Sequence, residues 1–177
     1  MRFISQEIPG LYLIEPSLHQ DDRGIFRRSF CVEEFANNGI DFTVKQGNVS
    51  ENFHQHTMRG FHYQEAPSRE SKVISCITGS LYNIVLDLRK DSLTYHQWIA
   101  LEISAELRQS IHVPAGCANA FLTMSDNTIV HYYMGDSFAP NSYCGIRYND
   151  PKFDFKWPCE PKVISDKDLN LPDYVDE

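Results

Sequence analysis

The sequence predicts an all-β fold, a jelly-roll-like β domain with a few short helices, and three observations carry that reading. Short runs that alternate in polarity or carry β-branched residues recur along the chain. Turn-forming residues separate them at a spacing of about 8–12 residues, the rhythm of a sandwich or barrel. Helical signals are few, and no repeat, low-complexity tract or linker interrupts the pattern, so residues 1–177 are expected to form a single domain.

Leu11 to Glu15 and Ile25 to Phe30 read as the first strands. Val32 to Asn37 carries the helix formers Glu33, Glu34 and Ala36, and Asn38-Gly39 supplies a C-terminal stop. Gln46 to Ser50 is a polar cluster suited either to a ligand or to capping a strand, and Glu51 to His56 reads as a loop. Lys72 to Ile77 and Leu81 to Leu88 follow, parted by Thr78-Gly79. The second of these is apolar almost throughout, as a strand buried on both faces must be. After the breaker Lys90-Asp91-Ser92 come Tyr95 to Ile103, Ser110 to Val113 and Ala120 to Met124. Ser125-Asp126-Asn127 then turns the chain into Thr128 to Met134. Near the end, the Ser165 hydroxyl is placed to cap a short helical turn containing Asp168.

Composition limits the function classes. Sixteen basic against 24 acidic residues give a net charge of −8, and no basic tract supplies the phosphate-neutralising footprint of a general nucleic-acid or membrane-surface binder. One local cationic pocket for a small phosphate ligand remains compatible with that balance. The 5 cysteines are odd in number and never spaced C-x-x-C, so reduced thiols are expected rather than disulfides or a zinc knot. Met1 to Gly10 lacks the apolar core of a signal peptide, and nothing reaches the roughly 18 apolar residues of a membrane span. A cytoplasmic protein is expected.

The chemistry centres on His62, in Met58-Arg59-Gly60-Phe61-His62-Tyr63-Gln64, with Lys72 further on. A lone histidine is more often a hydrogen-bonded core residue than a catalyst; its company changes the reading. Imidazole suits proton transfer near neutral pH, and a carboxylate such as Asp168 can orient one nitrogen and raise its basicity. Lys72 could place a cation where an enolate oxygen develops, although a lysine at a strand start is commonly an exposed edge residue. Arg59 could offer a fork to a diphosphate or simply form a surface ion pair. Tyr132 sits in a β-rich run, where tyrosines usually pack, yet a phenol aimed at a ligand can deliver a proton. Metal-independent chemistry is expected. His54 and His56 form an H-x-H pair only in a polar loop, Tyr63 and Gln64 stand where a second imidazole beside His62 would be wanted, and Asn119 stands where metal-binding β-barrels present a late histidine.

Taken in order, a dozen motifs resemble the dTDP-4-dehydrorhamnose 3,5-epimerase family across nearly the whole chain. They include Asp22-Arg23-Gly24, Asn48-x-Ser50, Arg59-Gly60-x-His62, Lys72, Asp87-x-Arg89-Lys90-Asp91-Ser92, Gln97-Trp98, Val113-Pro114-x-Gly116, Tyr132, Asn149-Asp150, Trp157-Pro158 and Ser165-x-Lys167-Asp168. The resemblance implies a cupin-type β-barrel acting as a homodimer on a nucleotide-diphosphate 4-keto-6-deoxy sugar, with no metal or organic cofactor. It implies His62 as base, Asp168 as its partner, Tyr132 as acid and Lys72 near the C4 oxygen. Arg23, Arg59 and Lys167 match nucleotide or diphosphate positions, and Gln46 and Asn48 match substrate contacts. Phe26, Arg28, Ser50, Asn119, Phe138 and Tyr143 complete the implied binding set.

Four positions depart from the family pattern: Asn119 stands at its usual second histidine, Arg28 and Tyr143 at glutamates, and Gly47 at an aspartate. The proton-transfer set is intact while the recognition shell is altered. Double inversion at C3 and C5 of a dTDP-linked sugar is therefore the leading expectation. Inversion at C3 only, a GDP- or CDP-linked substrate, and a non-catalytic sugar-nucleotide-binding protein are the alternatives. A metal-dependent cupin is a further one that the ligand set disfavours.

Overall fold

Side chains alternate along a strand with period two, so each strand offers one face to bury, or two where a second layer covers it. The structure, a computed structural model, describes residues 1–176. With elements numbered along the chain, one antiparallel sheet runs β1 (Arg2–Ser5), β2 (Tyr12–Glu15), β10 (Ser110–Val113), β7 (Lys72–Thr78), β12 (Thr128–Met134), β5 (Gln46–Asn52). A second runs β13 (Tyr143–Gly145), β6 (Met58–Gln64), β11 (Cys117–Thr123), β8 (Ser80–Asp87), β9 (Trp98–Ser104). Strands β3 (Leu18–Asp21) and β4 (Gly24–Arg27) stand apart as a hairpin paired with neither sheet.

The two large sheets pack face to face. Ile74 and Cys76 of β7 and Val130 of β12 meet Leu81 and Val85 of β8, Ile103 of β9 and Phe121 of β11. The outer face of the second sheet is covered as well: Met58, Phe61, Ile84, Leu86, Ala120 and Leu122 lie under Ile146, Phe153, Phe155 and Trp157. Strand β8 is therefore buried on both faces, as its apolar run predicts. On the outer face of the first sheet, α1 (Val32–Asn37) seats Phe35 against Ile14, Val73 and Phe42.

The all-β character and the two short helices match expectation, but the expected closed barrel is corrected. Neither sheet closes on itself, because the edge strands β1 and β5, and β13 and β9, carry no ladder to one another. Strands β1, β3, β5, β6 and β13 also go beyond the sequence reading. β5 (Gln-Gly-Asn-Val-Ser-Glu-Asn) lacks an apolar alternation and owes its extended form to a seven-residue ladder with β12. Strand β8 ends in a buried staple. The Asp87 carboxylate accepts from Arg89 Nε and Nη2 at 2.8 Å each and from the Ser92 and Thr94 hydroxyls at 2.6 Å each. Burial works to raise its pKa, yet these bonds outweigh it and hold the carboxyl well below the ordinary range. Among the described residues no helix is long and apolar enough to cross a membrane.

Candidate active site

Where the intersheet core runs out of apolar side chains, the same inward-facing rows carry polar ones. Lys72 lies two residues before Ile74 on β7, Tyr132 two after Val130 on β12, and Asn119 two before Phe121 on β11. With His62 and Arg59 of β6 and Tyr143 of β13 they line a cavity of about 300 Å³, floored in part by Ile74 and Phe121. Gln46, Asn48 and Phe138 also border it.

Local geometry on β6 delivers His62. Gly60 has φ +110°, and a Cβ there would lie 2.6 Å from the Asn119 carbonyl oxygen and 2.7 Å from the Ala120 Cα. Only glycine suits that conformation and that approach. The β6–β11 register shifts at this point, between Asn119 and Phe121, and Asn119 is brought opposite His62. From the other side, α2 (Asp166–Leu169) begins at Ser165, whose Oγ accepts the Asp168 N–H at 3.1 Å as the sequence predicts. The turn sets Asp168, only 4% exposed, with Oδ1 2.8 Å from His62 Nε2. Burial pushes the Asp168 carboxyl up, but hydrogen bonds and charge from His62, with the Gly60 N–H and Ser165, win and leave it below its ordinary value. A carboxylate so placed fixes the imidazole's orientation.

Lys72 comes from the opposite sheet and ties the two together. Its Nζ donates at 2.9 Å to the backbone carbonyl of His62 and at 2.9 Å to Asn119 Oδ1, and pairs at 2.9 Å with Glu70 Oε1. Asn119 in turn directs its Nδ2 to Asn83 Oδ1 at 3.4 Å.

Tyr132 faces the same cavity from β12. Burial pushes its phenol above the ordinary value against the opposing charge of Arg59, so it stays protonated at neutral pH. Tyr143 has its ring centroid 5.5 Å from that of His62, with Lys167 Nζ 3.9 Å from the ring centre. Burial first, then the charges of Asp168 and Glu70, push its phenol up to about 12. Lys167 lines a second, wider cleft of about 930 Å³ that shares Tyr63 and Tyr143 with the first. Gln46 Nε2 donates to Asn48 Oδ1 at 2.9 Å, aligning two of the expected substrate contacts. Ser50 does not line the cavity; its hydroxyl reaches Asn52 Oδ1 at 3.3 Å, and the same oxygen accepts from Arg59 Nε at 2.7 Å.

Three expected binding residues lie elsewhere. Arg23, Phe26 and Arg28 belong to the β3–β4 hairpin and the chain just after it, and none lines the His62 cavity. Arg23 pairs with Asp21, Arg28 with Glu34, and Phe26 is 72% exposed. Sequence reasoning missed Glu70, Asn52 and Asn83. Glu70 stands two residues before Lys72, the spacing that puts two side chains on one face of an extended chain, but in a polar run that sequence alone reads as a loop. Among the described residues, no group of three or more His, Cys, Asp or Glu side chains is arranged to hold a metal ion.

A family model described as dTDP-4-dehydrorhamnose 3,5-epimerase matches residues 5–176. The dTDP-4-dehydrorhamnose 3,5-epimerase of Methanothermobacter thermautotrophicus is 35% identical over 173 residues, 96% of this chain and 92% of that protein. The crystal structure of the Bacillus anthracis dTDP-4-dehydrorhamnose 3,5-epimerase with TDP and PPi bound superposes with a TM-score of 0.94 at 34% identity, covering 98% of this chain and 99% of that one. A 3'-monoepimerase from Streptomyces bikiniensis in complex with dTDP-quinovose gives a TM-score of 0.88 at 32% identity, covering 95% of this chain and 85% of that one. By the extent and strength of these matches, the chain belongs to the dTDP-4-dehydrorhamnose 3,5-epimerase family.

Proposed function

We propose that this chain is a cofactor-independent epimerase that inverts C3 and C5 of dTDP-4-dehydro-6-deoxyglucose. The observation that carries the reading is the position of the two proton carriers: His62 projects from one sheet and Tyr132 from the other, into one cavity. Inversion beside a ketone needs a base on one face of the ring and an acid on the other. The 4-keto group acidifies the hydrogens on C3 and C5. His62, oriented by Asp168, takes one of them; the electron pair moves onto the C4 oxygen as an enolate, which Lys72 stabilises. Tyr132 then returns a proton to the opposite face of the same carbon. No electron leaves the substrate.

Inversion at C3 alone is the second reading, favoured by the match to the 3'-monoepimerase. Solvent-deuterium incorporation into dTDP-4-keto-6-deoxyglucose, followed by mass spectrometry and NMR, separates the two. The expected result is label at both C3 and C5, lost in His62→Ala. Label at C3 alone supports the second reading. No label, with dTDP, GDP and CDP sugars all tried, would leave sugar-nucleotide binding as the function.

The working unit in this reading is a homodimer of single-domain chains. The β3–β4 hairpin, unpaired with either sheet and carrying exposed Phe26, is the segment to reach a second copy. Arg23 and Phe26, which line no part of their own chain's cavity, then close the partner's site over the nucleotide.

A further inference from the structure

Lys72 is not a free cation in the cavity wall. Its three ammonium hydrogens have three acceptors, and only one of these, Glu70, carries charge. The pair is deeply placed, with side-chain exposures of 6% for Glu70 and 10% for Lys72, and Glu70 itself lines the cavity. A buried ion pair is costly unless its geometry is good and its remaining hydrogen-bonding capacity is met. Here the His62 carbonyl and Asn119 meet that of the ammonium. Asn119 cannot supply the countercharge, because it is a neutral amide whose nitrogen is directed at Asn83. Asn83, fully buried, cannot supply it either.

We propose that Glu70 is a positioning residue of the proton-transfer site, holding the Lys72 ammonium at the enolate position. The proposal rests on the epimerase reading and adds to it a residue outside the expected catalytic set. The Glu70 carboxylate fixes one N–H of Lys72, so the ammonium's position is set before substrate arrives and costs no reorganisation as charge develops. When the C4 oxygen becomes an enolate, Lys72 turns one of its two N–H groups on neutral acceptors toward it and keeps the Glu70 pair. The carboxylate also acts across the cavity. The charged and titratable groups that line the cavity with Tyr132 are Arg59, His62 and Tyr63 of β6, Glu70 just before β7, Lys72 at its start, and Tyr143 of β13. Burial does most to keep that phenol protonated, Arg59 opposes it, and the Glu70 charge adds to the effect of burial.

The test compares wild type with Glu70→Gln and Glu70→Asp. Glutamine keeps the size and one acceptor oxygen while removing the charge; aspartate keeps the charge and shortens the reach. In Glu70→Gln, kcat is expected to fall by between about ten- and a hundredfold from a misplaced ammonium, with KM little changed. The alkaline limb of kcat is expected to move toward neutrality by about one pH unit, because removing a nearby negative charge makes a phenol easier to ionise. Glu70→Asp is expected to restore the limb while leaving kcat low. A role in folding alone would lower the amount of active protein without moving the limb. Independently of substrate, NMR spectra of lysine ammonium groups should show a slowly exchanging Lys72 NH3⁺ in wild type and its loss in Glu70→Gln. Unchanged kcat, limb and Lys72 signal in folded Glu70→Gln would overturn the proposal. A wild type without exchange activity would overturn the epimerase reading instead, and the Lys72 signal would still decide whether Glu70 holds the ammonium.

Discussion

At the scale of single residues, the proposed base is defined by its carboxylate. Asp168→Asn keeps the shape of the partner but not its charge, so it should lower kcat by about a thousandfold while substrate binding, measured by calorimetry, stays near wild type. The same pair has a pH signature. The folded-state pKa of Asp168 is depressed, so its stabilising effect is present above the unfolded carboxylate value, near about pH 4. That effect is lost as pH falls through the folded value. Wild type is therefore expected to be more stable than Asp168→Asn at pH 6, with the gap closing in denaturant titrations repeated down to pH 3. His62, Asp168, Lys72 and Tyr132 were nameable from sequence because their residue types fit one reaction and their order fits one family. Glu70 was not, since a glutamate in the polar run Ser68-Arg69-Glu70-Ser71 is ordinary loop composition until the fold brings it beside Lys72.

At the scale of elements, β6 carries the site's precision and Gly60 carries that of β6. A Gly60→Ala side chain would collide with backbone atoms of β11, which cannot swing aside as a side chain can, and would strain a left-handed φ. Its cost should be about 3 kcal/mol or more, and Tm and kcat should fall together because the strand that moves also holds His62. A Gly60→Ala protein with wild-type Tm would show that β11 yields more easily than its packing indicates. The central strands β7, β8, β10 and β12 were legible because burial writes itself into composition. Strand β5 was not, because its hydrogen bonds to β12 decide its form and its own side chains do not. The helix at Val32–Asn37 was read to the residue, for Asn38-Gly39 is a local stop that tertiary context had no reason to override.

At the scale of the whole molecule, the hairpin is the open question that the proposed dimer answers. Arg23→Ala should raise KM roughly tenfold through loss of a charged fork on phosphate while kcat changes little. Refolding a mixture of Arg23→Ala and His62→Ala chains should then recover about a quarter of wild-type activity at subsaturating substrate, since half of the dimers would contain one site with both residues. Recovery no greater than the sum of the two variants alone would mean that Arg23 serves its own chain's site or none. The sequence gives no sign of this proposed role for Arg23 in the partner's site, because a surface arginine paired to its neighbour Asp21 reads as an ordinary turn.

The bond from Lys72 to the carbonyl of His62 joins the ammonium and the imidazole through a peptide unit of β6. A displacement of that strand shifts both groups, so the distance between them is protected from small changes in the surrounding packing. Gln46 and Phe138 border the same cavity without a hydrogen bond to Lys72 or Asp168, whereas Tyr143 packs its ring near that of His62. Substitutions at Gln46 and Phe138 can alter which sugar or nucleotide fits while leaving the proposed proton-transfer groups in place. Retargeting this scaffold to other keto sugars should therefore begin at Gln46 and Phe138, with the Lys72–His62 linkage held constant.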